Sequence, residues 1–390
     1  MQLQTLLCHT NQKRIKEMFR LSNLIKTTLE DQKSRTLNGS IMIWNFTNRC
    51  NLFCHHCYSK ADANEKDTLT FEDIEQTISK LKAGGVNFVI FSGGEPLLRK
   101  DIFDIARVMK EHDIMTYLST NGLYVSPKNV DQIIDTFNYI GISIDGIEEV
   151  HDQFRGQKGA YKKSIEAIKL IQAHGGNAGI RFTITKETQD SFYAMFDLCE
   201  ELNVDKLYIS HLVYSGRGKD NLEIDISKEQ RKEYVEFIID KAFEYYNSGN
   251  NIDLVTGNME MDAIMLLNRF KKDYPEKVEL LKQKLKAWGG NSAGHRLGNM
   301  DWAGNVKPDP FFPFVIGNYL QTPFDEVWTS TKNDILNKLR EHPRQIKGKC
   351  QDCKYIDICN GGSRSRAFAI SGDLWEEDPS CYLSFEETRR

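Results

Sequence analysis

From residue 41 to residue 213 the chain repeats one hydrophobic rhythm. A short β-branched and aromatic run is followed by a turn, then by a longer stretch in which apolar positions recur at helical spacing. The short runs are IMIWNFT (41–47), NFVIFSG (87–93), IMTYLST (114–120), YIGISID (139–145), AGIRFTIT (178–185) and KLYISHLV (206–213). Between them lie amphipathic segments such as TFEDIEQTISKLKAGG and AYKKSIEAIKLIQAHGG; the first opens on a threonine cap and both close at glycines. Strand and helix alternating in this way predict an α/β fold of parallel strands joined by right-handed crossovers. Six such units make either an open doubly wound sheet or an incomplete barrel, and in both the loops after the strands gather at one ligand-binding face.

A long helix is expected over 227–247, after which the rhythm changes. The segment from Asn251 to Gly290 reads as helical, and 291–345 is rich in Asn, Gly, Pro and aromatic residues. A domain boundary near 250 follows: an N-terminal helical extension (1–38), a barrel (39–250), a helical linker region (251–300) and a C-terminal domain (301–390). The 51 basic and 55 acidic residues are interspersed and leave a net charge of −4, so no basic footprint for nucleic acid exists. No apolar run approaches the roughly 18 to 20 residues of a membrane span, and the start lacks a signal-peptide pattern. A cytoplasmic protein is expected. Nine cysteines are too few for a disulfide scaffold in 390 residues, and seven of them fall into two groups, which reads as metal binding.

The first group, RCNLFCHHCYSK, holds Cys50, Cys54 and Cys57 directly after the first strand. Three thiolates hold three irons of a four-iron cubane and leave the fourth with a vacant position; a zinc knuckle completed by His55 or His56 is the alternative. In FSGGEP, Gly93 and Gly94 let backbone approach a ligand closely and Glu95 supplies a carboxylate for an ammonium, although two glycines after a strand also make an ordinary turn. Arg181 lies on an otherwise apolar strand and needs an anion, either a ligand carboxylate or an internal partner. The second group, Cys350, Cys353, Cys359 and the distant Cys381, offers four thiolates, enough to saturate a cluster or a zinc ion. Its expected work is structural or electron transfer. Cys199 and Cys8 carry no assigned role.

On these residues the chain resembles the radical S-adenosylmethionine (SAM) enzymes, whose signature CxxxCxxC follows the first strand. The resemblance implies a partial (β/α)6, TIM-like barrel in which Cys50, Cys54 and Cys57 hold a 4Fe-4S cluster. The open iron would chelate SAM, and an electron from the cluster would cleave it to methionine and a 5′-deoxyadenosyl radical. It further implies that Gly93, Gly94 and Glu95 contact the methionine amino group, that Arg181 meets its carboxylate, and that Ser143 and Asp145 contact the nucleoside side. The cysteines at 350, 353, 359 and 381 are similar to those of the SPASM/twitch-type C-terminal domain, which implies one auxiliary 4Fe-4S cluster. A second is not expected, because Ser363 and the cysteine-free DWAGNVKPDPFF (301–312) stand where the family commonly has ligands.

WNFTNRCNLFCHHCYSKA, FSGGEPLLR, GISIDGIEEVHDQFR and YISHLVYSGRG resemble most the branch that builds haem d1, and the related alternative-haem-pathway decarboxylases. That implies an iron tetrapyrrole substrate, 12,18-didecarboxysiroheme, whose propionates lose hydrogen to the radical, and a reductant such as flavodoxin or ferredoxin. Arg155, Arg217 and Lys219 would anchor propionates, while Tyr214, Phe311, Phe312 and Phe314 would wall the macrocycle. His211, or His295, would ligate its iron or donate a proton. Each also has an ordinary reading: a solvated arginine, a core phenylalanine, a satisfied core histidine. The first rival is a SPASM enzyme that modifies a peptide, which would need a leader-binding domain that residues 1–40 look too short to form. The second is an electron carrier, which would need only closed clusters.

Overall fold

The computed structural model describes residues 19–32 and 39–389. Of the extension expected over 1–38 it describes residues 19–32, with strand β1 (Phe19–Arg20) and helix Leu21–Leu29; residues 1–18, with Cys8, and 33–38 lie outside the described residues.

Six predicted strands are present, as β2 (Ser40–Thr47), β3 (Val86–Gly93), β4 (Met115–Thr120), β5 (Tyr139–Ser143), β6 (Ala178–Ile184) and β7 (Lys206–His211). They pair in sequence order and in parallel, each with the next. Their two faces have different work. Met42, Trp44, Phe46, Val89, Phe91, Leu118, Ile140, Ile142, Ile180, Phe182 and Ile209 pack outward under the helices. Ile41, Phe88, Ile90 and Tyr117 face one another in a second cluster inside the sheet. A strand buried on both faces reads as the near-continuous apolar run seen in the sequence.

The crossover helices start and stop where their ends are satisfied. Thr70 caps helix Phe71–Ala83 by accepting the Asp73 N–H at 3.1 Å, while the Asp73 carboxylate takes the Thr70 N–H at 2.9 Å. Ser227 caps helix Lys228–Ser248 in the same way through Gln230, so the long helix expected over 227–247 is present.

The helical reading of 251–300 is corrected at both ends, where strands stand at Asp253–Gly257 and Leu297–Met300. Asp253–Gly257 is strand β8, parallel to β7 and flanked on its other side by antiparallel β1. Helices Asp262–Asp273 and Val278–Trp288 follow. NIDLVTG is short and polar at both ends, and its pairing with β7 and β1 makes it a strand. Beyond the helices, β9 (Leu297–Met300) pairs in parallel with β2, and β10 (Asn305–Lys307) and β11 (Gly317–Asn318) continue antiparallel from it. The sheet thus runs β1-β8-β7-β6-β5-β4-β3-β2-β9-β10-β11. It crosses the boundary placed near 250 at one edge and takes strands from the C-terminal segment at the other. Its two ends do not pair, so the barrel is partial. Among the described residues no helix is long and apolar enough to cross a membrane.

Candidate active site

The loops after β2 to β8 surround one cavity of about 270 Å³. Cys50, Cys54 and Cys57 line it together with Gly93, Gly94, Glu95, Ser143, Arg155, Arg181, His211 and Arg217. Residues far apart in the chain meet because every parallel strand delivers its C-terminal end to the same rim.

The cysteine loop is held in place by backbone contacts from other loops. Phe53 N–H donates to Arg155 O at 3.2 Å and His55 N–H to Phe154 O at 3.1 Å; the Arg217 N–H donates to Cys57 O at 2.9 Å. The Arg217 side chain completes the bracing: Nε donates to Cys54 O at 2.7 Å, Nη1 to Ala61 O at 3.1 Å, and the guanidinium lies 4.0 Å over the Phe53 ring. Arg217 therefore staples the loop through Nε and Nη1 and leaves Nη2 at the cavity without a partner among the described residues. Gly216, at φ +56°, brings the SGRG turn so close that a Cβ would sit 2.3 Å from Tyr58 O.

The Cys50 and Cys54 sulfurs are buried, with one arginine beside them. Burial pushes the Cys50 thiol up to about 12 against the Leu52 N–H, which donates to Cys50 Sγ at 3.4 Å, and it raises Cys54 as well. Arg155 Nη1 donates to Cys54 Sγ at 3.6 Å. Thiols that are costly to ionise alone become thiolates when an iron binds, so the donor set fits a cluster.

At the end of β3 the glycines are demanded by geometry. Gly93 has φ +136° and a Cβ there would meet Thr47 O at 2.3 Å; a Cβ on Gly94 would meet Arg49 O at 2.1 Å and Cys50 Cβ at 3.0 Å. Replacing Gly94 by alanine must move the cysteine loop, and we expect at least about tenfold weaker SAM binding, measured by calorimetry on the cluster-loaded protein. Glu95 is buried, its carboxylate accepting N–H bonds from Asn121 at 2.8 Å and Leu97 at 3.0 Å and the Thr120 hydroxyl at 2.8 Å. Burial still lifts it to about 7, so a bound ammonium would decide its charge.

Arg181 crosses the cavity floor over Tyr208, 4.6 Å from the ring, and takes part in none of the ion pairs among the described residues. Gly141 on the neighbouring strand makes room for it, since a Cβ there would lie 3.0 Å from Arg181 Cδ. A half-buried guanidinium without a carboxylate fits an anionic ligand.

Other predicted residues are corrected. Asp145 is fully buried behind the cavity wall, pairing with Arg155 and accepting the Thr183 N–H at 2.6 Å. Burial works against its ionisation, but Arg155 outweighs this and holds the carboxyl below its ordinary range. It orients Arg155 and is not among the residues that line the cavity. His211 reaches the wall, yet its Nδ1 receives Arg231 Nη1 at 3.0 Å and its Nε2 lies 3.4 Å from Asp262 Oδ2. Both nitrogens face protein, which is a core histidine's arrangement. Tyr214 donates to Asp225 at 2.6 Å, Lys219 is exposed, Phe312 packs with Leu339 and Leu374, Phe314 packs on Phe368, and His295 lines a separate cavity with Arg296 and His342. Of the proposed aromatic walls only Phe311 lines the cavity, edge-on to Tyr58 at 5.2 Å. Sequence reasoning missed Tyr58, Asn121, Tyr208, Asn291, Glu260 and Asp309, all of which line it. Tyr58 directly follows the cysteine motif; the last three carry no local signal.

Cys350, Cys353, Cys359 and Cys381 line a second, small cavity. Each is buried, and Gly361 N–H donates to Cys359 Sγ at 3.4 Å. Among the described residues no three Cys, His, Asp or Glu side chains converge on one metal-ion position; a cubane gives each thiolate its own iron and does not require them to.

The Radical SAM superfamily model matches residues 44–199. The chain is 38% identical over 379 residues to the pre-heme d1 synthase of Dinoroseobacter shibae, covering 95% of this chain and 94% of that one. It is 34% identical to the Fe-coproporphyrin III synthase of Methanosarcina barkeri, covering 89% and 88%. SAM-bound SuiB from Streptococcus suis has the same fold at a TM-score of 0.69 and 17% identity, over 88% of this chain and 77% of its own. With its cysteine triplet at the rim of a partial α/β barrel, the chain belongs to the radical SAM superfamily, a family of enzymes that use a 4Fe-4S cluster and SAM.

Proposed function

We propose that this enzyme processes the propionate side chains of an iron tetrapyrrole in haem d1 biosynthesis, with a 12,18-didecarboxysiroheme as substrate. The observation that carries the reading is likeness to the pre-heme d1 synthase over nearly the whole length of both chains. Cys50, Cys54 and Cys57 would hold the cluster, and Gly93, Gly94, Glu95, Ser143 and Arg181 would hold SAM. When bound, that pair would supply the radical chemistry needed to remove hydrogen from a propionate carbon. The residues keep the reacting groups in register. Gly93 and Gly94 let backbone close on the methionine end, Glu95 takes its ammonium, and Arg181 its carboxylate. Arg155, held by Asp145, keeps positive charge beside Cys54. Cys350, Cys353, Cys359 and Cys381 would hold one auxiliary 4Fe-4S cluster that takes up the remaining electron, with a flavodoxin or ferredoxin as external reductant.

The 34% likeness to Fe-coproporphyrin III synthase supports a second reading, a decarboxylase of the alternative haem route that leaves the propionates in place. Anaerobic incubation of the cluster-loaded protein with SAM, dithionite and each siroheme derivative, followed by mass analysis of the pigment, tests both. We expect loss of propionate mass from 12,18-didecarboxysiroheme. Formation of Fe-coproporphyrin III, with all four propionates retained, would favour the second reading, and unchanged pigments would sink both.

A further inference from the structure

In SIDGIEEVHDQFRG, Asp145 follows β5 and Arg155 closes helix Glu149–Arg155 ten positions later. The end of that helix is packed against the cysteine loop. Gly156 turns the chain away at φ +72°, where a Cβ would meet Phe53 O at 2.9 Å. The Phe154 and Arg155 carbonyls accept the His55 and Phe53 N–H groups at 3.1 and 3.2 Å. The Arg155 side chain therefore starts from a backbone already fixed to the segment that carries Cys54. It is 11% exposed, and the Asp145 carboxylate it pairs with is 0% exposed, so water screens this pair little.

Each of the three sulfurs has a hydrogen-bonding neighbour. Leu52 N–H donates to Cys50 Sγ at 3.4 Å, the Ser59 hydroxyl lies 3.4 Å from Cys57 Sγ, and Arg155 Nη1 donates to Cys54 Sγ at 3.6 Å. Of these three neighbours Arg155 alone carries a charge. Its Nη2 pairs with Asp145 Oδ2, and Asp145 Oδ1 accepts the Thr183 N–H at 2.6 Å, which ties the carboxylate to β6. The fork is thus held with one nitrogen on the sulfur and the other on the counter-charge, so the cation stands nearer the sulfur than the anion does. Both charges reach Cys54, and that of Arg155 acts on it more strongly. An arginine that only braced the loop would do so through carbonyls, as Arg217 does on Cys54 O and Ala61 O.

We propose that Arg155 sets the reduction potential of the centre held by Cys50, Cys54 and Cys57, through its N–H on the Cys54 sulfur, and that Asp145 is the positioning residue that keeps it there. The inference rests on the assignment of this triplet as cluster ligands and is independent of which tetrapyrrole is the substrate. A four-iron centre gains negative charge when it is reduced. A fixed cation donating to a ligand sulfur therefore stabilises the reduced form more than the oxidised one and raises the potential. Arg155 would make the open cluster easier to reduce by the external donor.

Anaerobic redox titration of the cluster-loaded full chain, followed by electron paramagnetic resonance, reads the potential directly. The signal that changes on adding SAM belongs to the open centre. Arg155→Met combined with Asp145→Asn removes the cation without stranding a buried carboxylate. Its midpoint should fall by at least about 59 mV, a tenfold smaller ratio of reduced to oxidised centre at a given potential, while any signal that SAM does not change keeps its midpoint. Arg155→Lys keeps the charge beside Asp145 but has no second nitrogen for the sulfur, so its midpoint should lie between the two. Wild-type midpoints in both variants overturn the proposal, because an arginine that only braces the loop alters how much cluster is held and not its potential. Should the double variant hold no cluster, the Arg155→Lys midpoint decides by itself: a fall supports the proposal and a wild-type value overturns it. A wild type without any SAM-responsive centre would bring down the triplet assignment and this inference with it, whereas unmoved midpoints in a SAM-responsive protein remove only the role of Arg155.

Discussion

Alanine at Cys50, Cys54 and Cys57 together is expected to abolish reductive SAM cleavage, by at least about 10³-fold, the scale on which losing an essential member of a catalytic unit acts. With the proposed auxiliary cluster on its own four thiolates, bound iron should fall to about half. The fold should survive. The three side chains are small, and the loop that carries them is braced through backbone: Cys54 O by Arg217 Nε, Cys57 O by the Arg217 N–H, His55 N by Phe154 O. Methionine and 5′-deoxyadenosine release with dithionite, alongside iron analysis, measures both halves. Cleavage persisting in the variant would refute the assignment of the open site to this triplet, and loss of all iron would mean that the two cysteine groups depend on each other.

The largest stability effect is expected at Asp378. Its carboxylate takes Arg366 Nε at 3.0 Å and Nη2 at 2.7 Å, the Ser363 N–H at 2.8 Å and the Ser380 N–H at 3.0 Å. Arg366 is 0% exposed and also donates to Leu212 O at 3.3 Å, beyond the end of β7. One ion pair thus joins the barrel, helix Arg364–Ser371 and the turn that presents Cys381. Removing the carboxylate strands a fully buried guanidinium, which costs about 3–5 kcal/mol. Asp378→Ala should lower the denaturation midpoint accordingly and release the iron that we propose Cys350, Cys353, Cys359 and Cys381 hold, with the isosteric Asp378→Asn intermediate. Burial opposes ionisation of Asp378, but Arg366 and the N–H donors outweigh it and keep the carboxyl below its ordinary range. A depressed carboxyl stabilises above its unfolded pKa and stops doing so as pH falls. The gap between wild type and Asp378→Ala should therefore narrow below about pH 4. A midpoint that stays at the wild-type value would show that the pair does not hold the C-terminal segment.

Much of the barrel was legible because its signals are local. The six runs were recognisable as strands since each side is buried, and Thr70 with Asp73 marks a helix start within four residues. The cysteine triplet and the Gly93–Gly94–Glu95 turn were legible for a related reason: metal ligation and close backbone approach impose spacing on neighbours in the chain. Strand β8 was hidden because Asp253–Gly257 owes its conformation to the edges of β7 and β1, which no window of sequence contains.

The sequence by itself determined the alternation of strand and helix, the three-thiolate and four-thiolate groups and the chemistry they allow. Which long-range side chains serve the site was decided only in three dimensions. Arg155 and Arg217 have the same residue type and the same promise as anchors, yet one is oriented by Asp145 beside a cysteine sulfur and the other braces carbonyls of the cysteine loop. His211 looks available until Arg231 and Asp262 close on its two nitrogens. Glu260 and Asp309, 49 positions apart, come to line one cavity because the segment carrying β9 and β10 folds back beside β2. Charge and hydrogen-bond partnership depend on distance in space, which the order of residues along a chain does not contain.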